Sequence, residues 1–519
     1  MKKAIYLIIA LIGLSAPSCS DSMLDFSPTD SGSGKELLKS ASTAITSVNG
    51  VYRSMWTAGW STTANTHQCF GIAAYNLALD CMADDLIMQS QGNGWFWGDH
   101  CYNVKSNYTS SAFRSYDVWY ANYKWIANVN YIIDAEPEMA GTEADEAYVA
   151  GQAYAIRALC YLNLATWFSR APYNSLTGAS RWNEPCVPVY TTGTSIDTGG
   201  QPRESLRTVY GRIDQDIDRA IELLEKARET TLAENNKSHI NLYVALGIKS
   251  RACLAEGDWD GAFKAAKRVI DEGGYAVGTK SDLTGGMNSL DKQNVMWGAG
   301  IQVADQAGGY AGFFTHMDNK EGAYAKSAPK LISKQLYNRI SATDIRRDWW
   351  DPSDKESPYV SKKFSFANVA SFLGDYIYMR VEEMYFTAAE AALRLDDLKS
   401  ARELMNTVMA ERDPGYSANN RSGTLLGATT TTWTGSFLEN ILTHRRIELW
   451  GEYGRLFDVR RLGQGIDRRT DDGFSEECIS MMNRRNVNIT KADTYDWVLT
   501  IPKAELDANP NINEEDQNP

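Results

Sequence analysis

Ile441-Leu-Thr-His-Arg-Arg-Ile-Glu-Leu-Trp-Gly-Glu-Tyr-Gly-Arg-Leu-Phe-Asp-Val-Arg-Arg461 is dense in charge and threaded with large apolar residues. Arg445, Arg446, Glu448, Glu452, Arg455 and Asp458 recur three or four residues apart, the spacing that brings opposite charges together along a helix. Ile441, Ile447, Leu449, Trp450 and Phe457 demand burial at the same time. The stretch therefore predicts a partly buried helix laced with ion pairs, a scaffold element and not a catalytic one.

The rest of the chain from Asp117 onward carries the same helical texture. Tyr154, Ala158, Tyr161, Ala165 and Phe168 fall on one helix face, as do Leu206, Val209, Ile213, Ile217, Ala220 and Leu224. Asn241–Glu256 and Trp259–Gly273 read as a helix pair joined at Glu256-Gly257-Asp258. Tyr378–Leu395 and Leu398–Glu411 read as a second pair, joined at Asp396-Asp397. Paired helices with alanine-rich faces and short joints are the grammar of tetratricopeptide repeats, which build a curved support by stacking. Lys35–Met55 reads as a first helix. Residues 84–111, 274–377 and 413–435 break the pattern with Gly, Asn, Ser and short β-like runs such as Asn294–Val303; irregular excursions this long usually carry function.

Residues 1–18 have the order of an export leader: Lys2 and Lys3, an uncharged apolar run from Ala4 to Leu14, then small residues up to Cys19. A cysteine at that place is a candidate lipidation site, and Ser20-Asp21-Ser22 follows it. Residues 19–35 form a polar tether, and 36–519 read as one domain. The net charge of −13 becomes more negative once the leader lysines are lost, which argues against nucleic-acid binding. No later apolar run approaches transmembrane length. The seven remaining cysteines show no CxxC pair; disulfides among Cys69, Cys81 and Cys101 stay open, and Cys160 and Cys253 read as buried apolar groups.

Several segments in order resemble one family. They are Leu24-Asp25-Phe26-Ser27-Pro28 after Cys19, Arg157–Tyr173 (with Ser169 where glycine is usual), Tyr378–Ala392, Arg445–Arg461, and the closing Ile501-Pro502, Glu505-Leu506 and Asn509-Pro510. Together they are similar to the SusD/RagB family of nutrient-binding surface lipoproteins of Bacteroidetes. The resemblance implies a mainly α fold in which four tetratricopeptide-like helix pairs support an irregular, loop-rich half with a few short β-strands. It also implies an outer-membrane protein at the cell surface, lipid-anchored through acylated Cys19, that binds an oligosaccharide or polysaccharide. As partner it implies a TonB-dependent SusC-like transporter, which the protein covers as a lid. It implies no cofactor and no catalysis.

A glycan site wants exposed rings for the sugar C–H face and polar groups for the hydroxyls. Asp84-Asp-Leu-Ile-Met-Gln-Ser-Gln-Gly-Asn-Gly-Trp-Phe-Trp-Gly-Asp99 has that composition. Trp95 and Trp97 would share a side in an extended stretch. Trp95, Trp97, Asn93 and Asp85 are the first candidates; Tyr310 and Phe313 are a second group that would complete an aromatic arc. Trp297 and the Trp349-Trp350 pair read as packing.

The five histidines are scattered and form no HExxH or paired metal pattern. Asp348, Asp351 and Asp354 lack EF-hand spacing, so a calcium site is left open. No nucleophile elbow, P-loop or dinucleotide fingerprint sits in the right context. Two other classes remain: an oligopeptide-binding relative, and a secreted glycoside hydrolase with two carboxylates flanking the bond.

Overall fold

The computed structural model describes residues 34–59, 65–103, 113–195, 197–233, 237–302, 311–492 and 494–519. The leader, Cys19, most of the tether and Tyr310 lie outside the described residues. The first helix is shorter than expected: α1 spans Ala41–Ser54, after a single turn at Gly34–Leu37. There follow α2 (Ile72–Met82), the one-turn α3 (Trp97–His100) and the long helices α4 (Phe113–Ala135), α5 (Glu143–Phe168) and α6 (Leu206–Lys226).

Capping explains where these helices begin. Thr142 and Ser205 accept backbone N–H groups at the starts of α5 and α6. The two hairpins read from the sequence are present: α7 (Leu242–Glu256) with α8 (Trp259–Glu272), and later a second pair described below. At the first joint Gly257 takes φ 76° to end α7, and Asp258 immediately caps α8 through Gly261 N–H. Successive helices lie side by side, α4 on α5, α5 on α6, α6 on α7 and α7 on α8. Gly151 lets α5 and α6 approach closely, because a Cβ there would lie 2.9 Å from Leu224 Cγ.

The loop-rich half begins after α8. It holds α9 (Phe313–Met317) and α10 (Ala323–Ser327) and two small antiparallel sheets. One sheet has the order β1-β3-β5-β4, with β1 Leu86–Ile87, β3 Leu331–Ile332, β4 Trp350–Asp351 and β5 Val360–Ser361. The other pairs β2 (Val295–Ala299) with β6 (Tyr376–Arg380), in a register interrupted around Trp297. Trp297, Trp349 and Trp350 are all buried, as expected. The helix expected from Tyr378 starts instead at Val381, because residues 376–380 are held by the pairing with β2. The second hairpin is therefore α11 (Val381–Arg394) with α12 (Leu398–Ala410), and α8 packs against α11 to join the scaffold across the insertion.

The Ile441–Arg461 stretch is not one helix. It comprises the end of α13 (Phe437–Glu448) and all but the last residue of α14 (Arg455–Leu462), with a turn between them at Gly451 (φ 77°) and Gly454 (φ 90°). Its charges face other segments more than each other. Glu448 receives Arg346, Arg380 and Arg412 at 3.0, 2.9 and 2.9 Å. Arg380 also reaches Glu452 at 2.7 Å and Glu382 at 3.0 Å, and Lys363 sits 2.5 Å from Glu452. Arg445 and Arg461 share Asp458 at 2.9 and 2.7 Å, and Arg461 closes on Glu390 at 2.8 Å. The three arginines outweigh the burial of Glu448 and hold its carboxyl well below the usual range.

Following the Glu452 turn, α14 rests on α2, where Asp80 Oδ1 accepts Arg455 N–H at 2.8 Å. Its second oxygen is buried without a hydrogen-bond partner among the described residues. Burial, with only partial relief from that backbone bond, pushes its pKa up to about 8.

Two outcomes are expected. Glu448→Ala leaves three buried guanidiniums facing one another and lowers stability by about 3–5 kcal/mol, read by urea denaturation. For Asp80 the folded state binds the proton more tightly than the unfolded state, so its contribution to stability declines as pH rises from about 4 to about 8. Asp80→Asn removes that slope; melting curves at pH 5 and 8 should show the variant gaining on the wild type at the higher pH.

Candidate functional site

The segment after β1 is a tight, glycine-shaped loop that leans on α10. Gly92 has φ 51°, and a Cβ there would lie 2.6 Å from the Ser327 carbonyl. Asn93 is exposed, and its Oδ1 accepts the Ser327 hydroxyl at 2.9 Å. Its amide nitrogen has no partner among the described residues and is available to a ligand.

Trp95 is half-buried at the mouth of this loop. Its indole stacks on the His67 ring at a centroid distance of 4.6 Å and 11°, and meets Tyr324 edge-on at 5.9 Å. His67 Nδ1 lies 2.5 Å from the Tyr324 hydroxyl, so the three rings brace one another. Beneath them His316 is fully buried, and its pKa falls to about 3, first through burial and then through the nearby Lys330 cation. Neutral His316 therefore donates from Nε2 to the His67 carbonyl at 2.7 Å and fixes the backbone under the indole.

Three of the expected site residues are corrected. Trp97 is only 3 % exposed. The rule that alternate residues share a side needs extended backbone, but Phe96 adopts φ 62° and the chain turns into α3. Phe96 drives into the core, edge-on to His316 at 5.0 Å, while Trp97 packs against His100 at 5.6 Å. Asp85 is buried between Arg446 (2.5 Å) and Arg455 (3.1 Å), and its carbonyl accepts Trp450 Nε1 at 2.9 Å. It is part of the frame that holds the loop. Phe313 is packed on Phe364 at 5.2 Å and Phe314 at 5.3 Å and offers no open face. Tyr310 lies outside the described residues. Of the candidates, half-buried Trp95 and exposed Asn93 are thus the two that keep accessible surface.

Sequence reasoning missed His67, Tyr324 and Ser327. Nothing in the sequence announces them, since they lie 28 residues before and about 230 residues after the loop they complete.

Lys326 of α10 also lines a groove of about 770 Å³, together with Asn319, Glu321, Asp351, Glu356 and Lys362 among others. This lining of carboxylates, ammonium groups and an amide suits a ligand rich in hydroxyls. Asp351 and Asp354 accept hydrogen bonds from their own loop, at Ser353, Glu356 and Ser357. Among the described residues no group of three or more His, Cys, Asp or Glu is placed to hold a metal ion. No described helix is long and apolar enough to cross a membrane.

Helix hairpins stacked side by side thus carry a braced indole and a polar groove. The comparisons name the family. Residues 326–519 match the model described as SusD family, and residues 43–254 match that described as starch-binding associating with outer membrane. The chain belongs to the SusD/RagB family. A SusD-like carbohydrate-binding protein from Bacteroides vulgatus is 25 % identical, with 92 % of this chain and 98 % of that chain covered and a TM-score of 0.73. A SusD superfamily protein from Bacteroides thetaiotaomicron is 21 % identical over 92 % of this chain and 100 % of its own, at a TM-score of 0.74. Surface glycan-binding protein A from Bacteroides thetaiotaomicron, in complex with laminarihexaose, is 16 % identical over 92 % and 99 %, at 0.61. No curated protein matches the chain.

The two tryptophans should separate cleanly. Trp97→Ala removes a buried ring and costs about 3–5 kcal/mol of stability, whereas Trp95→Ala costs a small fraction of that; thermal melts of the two variants check the contrast.

Proposed function

We propose that this protein binds an oligosaccharide or polysaccharide at the Trp95 loop without cleaving it. The observation that carries the reading is the half-buried indole of Trp95, held in place by His67 and Tyr324 beside the exposed amide of Asn93. An indole fixed in this way offers an apolar face to sugar C–H groups with little ordering left to do on binding, and the neighbouring amide meets the hydroxyls. The polar groove lined in part by α10 gives a longer chain room to continue. The family, and the relative held with laminarihexaose, support a glycan as the ligand class.

The same reading places the protein at the outer membrane, anchored through acylated Cys19, where it covers a SusC-like TonB-dependent transporter and passes the glycan on. The description of the matching family model supports the membrane association. The family and the sequence features of residues 1–28 support the anchor and the partner.

A glycan array followed by titration calorimetry tests the function. A bound glycan should be recovered intact, and Trp95→Ala should weaken it about tenfold, the equivalent of roughly 1.4 kcal/mol, without loss of fold. Release of shorter products would move the protein to the hydrolases. Binding of oligopeptides and of no glycan would move it to peptide capture.

A further inference from the structure

A cavity of about 320 Å³ shares no residue with the Trp95 loop or with the groove lined by α10. Its size falls at the low end of the roughly 300–1,000 Å³ typical of small-molecule sites. Trp119, Tyr120, Tyr123 and Ile126 line it from one face of α4, one, three and three residues apart. Tyr190 and Glu505, the latter on the short helix Lys503–Ala508, close it. Trp119 is buried, and Tyr120, Tyr123 and Tyr190 are half-buried. The rings do not form a flat platform. Trp119 and Tyr123 lie 4.9 Å apart at 49°, and Tyr123 and Tyr190 lie 5.9 Å apart at 90°, so they make a corner around a small volume.

We propose that this cavity binds an organic ammonium group, held between the Glu505 carboxylate and the rings of Trp119, Tyr123 and Tyr190. The carboxylate is fixed in place: Oε2 accepts Trp119 Nε1 at 3.3 Å, and Oε1 accepts Asn509 Nδ2 at 2.8 Å. Both donors are neutral, so they orient the charge without cancelling it. Among the described residues the lining carries this one carboxylate and no lysine or arginine, and Glu505 has no ion-pair partner. An anion is therefore disfavoured and a cation favoured. Indole and phenol rings add to this, because their faces are negative and attract a cation, more strongly once water is displaced.

The neighbouring chemistry agrees. Lys124 Nζ lies over the Tyr120 ring at 5.4 Å, so a ring on this helix already takes an ammonium group, and Lys124 itself stays outside the lining. The Tyr123 and Tyr190 phenols sit above their ordinary range, first through burial and then with the Glu505 charge adding to it. They remain neutral hydroxyls and bring no charge of their own. Tyr123 donates to the Pro188 carbonyl at 2.7 Å, and the Tyr190 oxygen accepts Gln201 N–H at 3.0 Å, which holds both rings at their angles. A corner of rings around a carboxylate suits a compact rounded cation better than the flat face of a neutral sugar. An amino sugar and a lysine side chain carry the same group.

The probe is tetramethylammonium, added to the purified full chain at constant ionic strength. The readout is the Trp119 indole N–H resonance, identified by its loss in Trp119→Phe. It should shift and saturate with tetramethylammonium and not with tert-butanol, a neutral molecule of nearly the same shape. Glu505→Gln keeps the size of the side chain and an oxygen for the indole, and it should weaken binding about fivefold; a thermal melt confirms that this variant is folded. Glucosamine against N-acetylglucosamine, and Nα-acetyl-lysine amide against its Nε-acetylated form, then tell a sugar amine from a peptide one, the charged member of the preferred pair binding more tightly. No saturable shift, an equal shift with tert-butanol, or unchanged affinity in Glu505→Gln overturns the proposal. Trp95→Ala should leave the titration unchanged, so failure at the Trp95 loop and failure at this cavity are separate results.

Discussion

Three guanidiniums converge on one buried carboxylate. Glu448 and its partners Arg346, Arg380 and Arg412 have side chains that are 0 % exposed. Isolated, any of these charges would be intolerable in the interior, and even paired they gain little over apolar residues of the same size. What the cluster supplies is register. Its members come from the loop-rich half, from the strand before α11, from just beyond α12 and from α13, so no one segment can shift without leaving a buried charge unmatched. Arg346 is further clamped by Asp344 at 2.7 Å and Arg412 by Glu382 at 2.8 Å, so the four-residue centre is held from outside as well.

A second cluster transmits that order to the loop. Asp84 and Asp85 sit between α2 and the site, and both are gripped by Arg446 and Arg455 from the stretch that carries Glu448. Burial alone would favour protonated carboxyls, but the arginines hold Asp84 ionised, at about 2. The chain therefore leaves this pair in a fixed direction, and β1 aligns with β3 before the glycine turn that presents Trp95. A loop of glycines and aromatics would otherwise sample many shapes; here it is pinned at its root by ions and at its tip by Ser327.

The scaffold was legible in the sequence because its rules are local. The α7–α8 joint is written in Gly257 and Asp258, and the α11–α12 joint in Asp397, which caps the next helix through Ser400. The dense stretch at 441–461 announced buried ion pairing, but not the break at Gly451 and Gly454 nor the distant partners, since a charge does not say which remote charge it will meet. The site was legible in composition and misread in direction. Asn93 is exposed and Trp95 half-buried. Trp97 and Asp85 carry the same apparent chemistry yet serve packing and framing, and what separates them is a single left-handed residue at Phe96 and two arginines some 360 residues away.

This difference between neighbours explains how one loop can be both firm and receptive. Phe96, Trp97 and His100 bury on one side, and Phe96 also lies under the Arg114 guanidinium at 5.3 Å. Arg114 in turn is locked to Asp99 of α3 at 2.8 Å, with both side chains fully enclosed. The turn is thus anchored from beneath by aromatic contacts and an ion pair. Trp95, one residue before the left-handed step, stays half-buried, stacked on His67 and met edge-on by Tyr324. An aromatic side chain that is immobilised but only half covered has already lost its rotamer freedom in the folded protein, so little of that cost would remain for a ligand that packed against it. The geometry that buries Trp97 is the same geometry that leaves Trp95 half-exposed, as the proposed binding role requires.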